Sequence, residues 1–283
     1  MAVTSGADLA RLRANLGEVR ERIAVAARAA GREPAELTLI AVSKTWPAAD
    51  VLALRALGVT HFAENREQEA APKVAEVLSR LGTAASSQAA RPAGAPGAGG
   101  GLGVPGRLGP AGGADGPGAA ARVPVGAPVW HFVGQLQRNK ANAVARWADW
   151  VQSVDRPELV ASLSRAAASQ GRMIAVCVQV CLDTPGATGR GGAAPGDVAR
   201  MTDLVAEAAG LRLAGVMAVA PRGVPPRPAF ARLREVAEEV RRNHPEARVV
   251  SAGMSGDLEA AVAEGATHLR IGTALFGERR PVP

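Results

Sequence analysis

The chain has 283 residues and a formal net charge of +7 at pH 7, from 33 Lys and Arg against 26 Asp and Glu. A hydrophobic share of 47% with 21% charged residues excludes a disordered chain, and the length suits one large domain around a single core. Tyrosine is absent, which excludes any mechanism that draws a phenol from this chain, and there are only three lysines, Lys44, Lys73 and Lys140, so arginine fills nearly every place where a generic surface cation would serve.

The first residues, MAVTSGADLARLRANLGEVR, form a charged amphipathic stretch without the apolar centre of a signal peptide, and the pattern predicts a helix from Ala7 to Ala30. No apolar run reaches the roughly 18 residues of a membrane span, so a cytoplasmic protein with no membrane partner is expected. Strands are predicted at LTLIAVSK (37–44), HFAEN (61–65), VWHFVGQ (129–135), WVQSVD (150–155), IAVCVQVCL (174–182), LRLAGVMAVA (211–220), ARVVSAG (247–253) and HLRIGTALFG (268–277). Helix-period segments such as AADVLALRALG, PELVASLSRAAASQG, DVARMTDLVAEAAG and PAFARLREVAEEVRRN lie between them, several opening on Pro or Asp and closing on Gly. Strands alternating with helices in this number predict an α/β fold, a single (β/α)8 TIM barrel with an N-terminal helix.

Residues 83–128 interrupt this rhythm with a Gly-, Pro- and Ala-rich tract. It has too little apolar surface to offset its ordering entropy and is read as a disordered insertion in one domain covering 1–283. The GxGxxG spacing at Gly101, Gly103 and Gly106 has no strand before it and no helix after it, so it is composition noise rather than a dinucleotide fingerprint. Cys177 and Cys181 fall on one face of a predicted strand, too far apart along it for a relaxed disulfide, and read as two small buried residues. No histidine stands at ligand spacing near them, so no metal site is expected.

The active face of a barrel is built from the C-terminal strand ends. Lys44 closes the first predicted strand, and lysine, unlike arginine, forms an imine with an aldehyde once its pKa is lowered from about 10.4. After the seventh strand, Ser251-Ala252-Gly253-Met254-Ser255-Gly256-Asp257 makes a small-residue turn that opens a helix, and the eighth strand carries Arg270-Ile271-Gly272-Thr273. Both turns offer backbone N–H groups and hydroxyls suited to a phosphate. An imine-forming lysine opposite a phosphate cup points to pyridoxal 5′-phosphate or to a phosphorylated carbonyl substrate of the aldolase type.

In order along the chain, AVSKTWP, HFAENREQE, WHFVGQLQRNK, QSVDR, GVMAVAP and SAGMSGDLEAAVAEGATHLRIGTALFG closely resemble the YggS family of pyridoxal phosphate homeostasis proteins, called PROSC or PLPBP in animals. The resemblance implies a barrel like the alanine racemase N-terminal domain, with pyridoxal 5′-phosphate held as a Schiff base on Lys44. It also implies phosphate contacts from Ser255 and the Gly272-Thr273 pair, Arg270 near the cofactor ring nitrogen, and Asn65 near the cofactor. Departures are AENR where the family has GENY, with Ala63 and Arg66, and Cys181 where an Asn is usual. Met217 is expected on the barrel wall and His131 as a buried, hydrogen-bonded histidine. Gln137, Asn139 and Lys140 are read as a solvated strand-to-helix turn without chemistry.

The function so implied is binding of pyridoxal 5′-phosphate in vitamin B6 homeostasis, without catalytic turnover, by a monomer whose partners are the cofactor and apo-enzymes that need it. The alternative is an amino-acid racemase on the same barrel, which needs a tyrosine as second base. Nucleic-acid binding, suggested by the +7 charge, is opposed by scattered basic residues, 3% aromatics and no recognisable module, so no specific nucleic-acid partner is expected.

Overall fold

A computed structural model describes residues 6–89, 126–183 and 191–278. These divide into a unit of Met1–Val77 with Pro128–Pro283 and a unit of Leu78–Ala127. Every described strand belongs to the first: β1 (Thr38–Val42), β2 (His61–Glu64), β3 (Val129–Phe132), β4 (Trp150–Val154), β5 (Ile174–Gln179), β6 (Leu211–Met217), β7 (Val249–Ser251) and β8 (His268–Ile271). Each pairs in parallel with its neighbour in sequence, and β8 pairs with β1, so the sheet closes into a barrel. The helices are α1 (Gly6–Ala29), α2 (Ala48–Ala56), α3 (Glu67–Ala89), α4 (Ala141–Ala145), α5 (Pro157–Ser169), α6 (Val198–Glu207), α7 (Pro226–Asn243), α8 (Leu258–Ala263) and α9 (Thr273–Phe276). The (β/α)8 expectation and the N-terminal helix are both met.

Parallel strands with helices outside and side chains inside are buried on both faces, and this is why they read as nearly continuous apolar runs. In β5 every residue but the last is buried. On α1, Leu12, Leu16, Val19 and Ile23 recur at helical spacing and are all buried. Pro157 and Pro226 begin α5 and α7, where a missing N–H costs nothing.

Several boundaries differ from expectation. The strand predicted over 174–182 ends at Gln179, because Val180 makes an isolated bridge to Ala193 and the Cys181 N–H donates to the Ala193 carbonyl at 2.9 Å. Cys181 is therefore in a connection and partly exposed, whereas Cys177 is buried as expected; both thiols are free. The segment predicted over 268–277 leaves the sheet after Ile271 and turns into α9. The first strand stops at Val42, two residues before Lys44. Helix α3 continues to Ala89, inside the tract read as an insertion from residue 83, and residues 90–125 of that tract lie outside the described residues.

The barrel interior is unusually polar near the N-terminal ends of its strands. The Trp150 ring lies between those of His131 and His268, at centroid distances of 5.1 and 5.6 Å, and the Arg212 guanidinium sits 5.5 Å from its centre. Above this floor, one small apolar cluster contains Ile40, Val42 and Ala63, and another contains Ala175, Cys177, Ala214 and Met217. Burial pushes the Cys177 thiol up to about 12, so it stays protonated.

Candidate functional site

The chain leaves β1 through Ser43, whose fully buried hydroxyl donates to Glu64 Oε1 at 2.7 Å. The Ser43 N–H donates to the Ala63 carbonyl at 2.9 Å, and the Ser43 carbonyl accepts from Lys73 Nζ at 2.7 Å. Lys73 Nζ also reaches Glu64 Oε1 at 2.6 Å. Burial raises the Glu64 carboxyl above its ordinary value, while Lys73 and Ser43 draw it back down. Three polar side chains thus fix the backbone immediately before Lys44. Immediately after it, Thr45 has φ 67°, the left-handed region that a β-branched residue adopts only under constraint from its surroundings.

Asn65 follows β2. A Cβ on Gly134 would lie 1.9 Å from the Asn65 carbonyl oxygen, so the segments after β2 and β3 can approach this closely only with glycine there. On the other side, Gly253 has φ 90° and its carbonyl accepts the Arg270 N–H at 2.9 Å. Ser255 Oγ accepts the Ala274 N–H at 3.1 Å, which ties the turn after β7 to the turn after β8. Helix α1 braces both turns from outside. Arg11 donates to the Phe276 carbonyl, Asn15 Nδ2 to the Leu275 carbonyl at 3.0 Å, and Arg22 to the Ser255 carbonyl at 3.1 Å.

Arg270 is 5% exposed and donates to Ser251 Oγ at 2.7 Å and to the Ala218 carbonyl at 2.8 Å, both neutral acceptors. Burial lowers its guanidinium to about 10, which leaves it charged at neutral pH.

Lys44, Asn65, Ser255, Arg270, Gly272 and Thr273 all line one cavity of about 410 Å³ at the C-terminal end of the barrel. Small-molecule sites commonly measure about 300–1,000 Å³. Met217 lines it too, as a wall residue, and so do Trp46 and Gly134, to which the sequence reading gave no role. Trp46 stacks on Phe276 at 5.5 Å, and the motif AVSKTWP was the only signal for it. His131 is fully buried and hydrogen-bonded, as expected, and does not line the cavity; neither does Cys181. Lys140 lies 3.7 Å from Glu67 on a half-exposed turn, in keeping with a solvated role. A larger hollow of about 760 Å³, beside α1 and α8, is lined by alanines and Val25 together with glutamate and arginine side chains, and no lysine, serine, threonine or cysteine lines it. No group of three or more potential metal ligands occurs among the described residues, and no helix among them is long and apolar enough to cross a membrane.

Residues 8–280 match the sequence profile of the alanine racemase N-terminal domain. A protein of Mycobacterium bovis named pyridoxal phosphate homeostasis protein is 40% identical over 274 residues, covering 94% of this chain and 92% of its own. The structure of PipY of Synechococcus elongatus, solved with PLP bound, superposes with a TM-score of 0.68 at 31% identity, covering 94% of this chain and all of its own. An alanine racemase of Clostridium difficile shares the fold, with a TM-score of 0.59 at 13% identity over 96% of this chain, but the match spans only 57% of the racemase.

Proposed function

The chain belongs to the alanine racemase N-terminal domain family and, within it, to the pyridoxal phosphate homeostasis proteins, and from that premise we propose that it binds pyridoxal 5′-phosphate as a Schiff base on Lys44 and serves vitamin B6 homeostasis. The observation that carries this reading is the convergence of a lysine, two hydroxyls, a small-residue turn and a buried arginine on the same cavity. The donor set fits the group. When bound, pyridoxal phosphate supplies an aldehyde that condenses with a primary amine, and Lys44 is the only lysine lining that cavity. Ser255, Thr273 and the backbone around Gly272 offer hydroxyls and N–H groups for a phosphate, with the Ser255–Ala274 bond holding the two turns together. Arg270, charged and donor-only, would offer a ring nitrogen an N–H rather than an acceptor, which would disfavour a proton there and weaken carbanion chemistry.

This reading favours holding and delivery over turnover. Two-base racemisation needs a second base facing the lysine, and no tyrosine exists in this chain to act as one. Purified protein is expected to show a visible absorption band with pyridoxal phosphate that Lys44→Ala abolishes; an unchanged band in that variant would overturn the assignment. Delivery is tested by mixing loaded protein with an apo-enzyme and a trap for free cofactor. Activation despite the trap supports transfer by contact, and conversion of L- to D-alanine at useful turnover would restore the racemase alternative.

A further inference from the structure

Arg270 is the head of a run of hydrogen bonds that crosses the barrel interior to its opposite end. Arg270 Nη1 donates to Ser251 Oγ at 2.7 Å, and Ser251 Oγ donates to Gln152 Oε1 at 2.7 Å. Gln152 Nε2 lies 2.8 Å from His131 Nδ1, and His131 Nε2 lies 2.9 Å from His61 Nδ1. The members come from β8, β7, β4, β3 and β2 in turn. Ser251, Gln152 and His131 are each 0% exposed, while His61 is half-buried at the start of β2. None of these four lines the cavity.

The chemistry of the groups sets the direction of the whole run. Arginine can only donate, so Ser251 Oγ must accept from it. The serine hydroxyl proton then turns to the Gln152 carbonyl oxygen, which leaves the Gln152 amide N–H to face His131. His131 Nδ1 must accept, so its proton sits on Nε2 and points to His61 Nδ1. A buried run in which each donor meets an acceptor is rigid, because reversing one member strands its neighbour without a partner. Burial, with His61, His268 and Arg270 nearby, holds His131 far below its ordinary pKa and so supports the neutral ring that this order requires.

We propose that Ser251, Gln152 and His131 are positioning residues that fix the orientation of Arg270 towards the cofactor, with His131 locked as its neutral Nε2–H tautomer. The proposal rests on the reading of the cavity as a pyridoxal phosphate site. It accounts for three buried polar residues on three different strands of the barrel, and it makes the cofactor sensitive to residues that do not touch it.

Two measurements on the full chain test it. Long-range proton–nitrogen correlation spectra of the cofactor-free protein at pH 7 should show the His131 proton on Nε2; a proton on Nδ1 overturns the proposal. In cofactor-loaded protein, Ser251→Ala and Gln152→Met should keep the Lys44-dependent band but move its pH midpoint by about half a unit or more, as the loss of an oriented charge beside a titrating group does. Ser251→Thr, which keeps the hydroxyl, should stay at the parent midpoint. A purely structural role would lower the melting temperature and leave the midpoint in place, and that result also overturns the proposal. Absence of a band in the parent chain would count against the proposed function, and the tautomer would then decide the hydrogen-bonded run by itself.

Discussion

Lys44 owes its place to residues that bear no chemistry of their own. Ser43, Glu64 and Lys73 form a compact buried group in which the lysine holds both the carboxylate and the Ser43 carbonyl. Removing one partner of such a pair strands the other in a medium that solvates charge poorly. Lys73→Met is therefore expected to cost about 3 kcal/mol of stability in urea unfolding, by the usual penalty for breaking a buried pair. Replacing both charges, as Glu64→Leu with Lys73→Met, should recover much of that loss. Loss of less than about 1 kcal/mol in the single variant would show that the pair does not hold this strand end. Lys44, Ser255 and the Arg270-Ile271-Gly272-Thr273 run were legible in the sequence because each sits in a compact motif at a strand end. Ser43, Glu64 and Lys73 were not, because their meaning lies in a meeting of β1, β2 and α3 that no local spacing encodes. Gly134 was equally silent: its need for glycine comes from the Asn65 carbonyl, far away in sequence.

At the scale of elements, α1 is more than a cover for one side of the barrel. Its Asn15 and Arg22 side chains bond carbonyls of Leu275 and Ser255, in the two turns proposed to hold the phosphate. A hydrogen bond of this kind is worth about 1 kcal/mol, so Asn15→Ala and Arg22→Ala should each weaken pyridoxal phosphate binding about fivefold. Equilibrium dialysis measures the affinity, and the band position should stay unchanged because neither residue lines the cavity. An affinity equal to the parent in both variants would limit α1 to packing. The alternation of strands and helices was readable over most of the chain, but helix α3 was not among the segments read as helical, because the tract from residue 83 interrupts the pattern there. The strand ends were less readable. The apolar character of IAVCVQVCL and HLRIGTALFG continues past the sheet, because the residues that leave it stay near the core.

For the whole molecule, the polar floor of the barrel links stability to pH. Burial lowers His61, His131 and His268, the last to about 4. The unfolded chain binds these protons near pH 6.5 and the folded chain resists them, so stability is complete above that pH and declines as pH falls towards 4. For His268 alone the loss between pH 7.5 and pH 5 is about 2 kcal/mol. Urea midpoints at the two pH values should show a larger decline in the parent chain than in His268→Gln; equal declines would remove this histidine from the account. The interior that produces this behaviour also separates the two sulfur atoms. Cys177 faces the sealed centre as a thiol pushed to about 12, and Cys181 stands partly open beyond β5. A maleimide reagent is thus expected to add one mass increment to the folded chain and two after denaturation, giving a label count that reports directly on whether the barrel is closed.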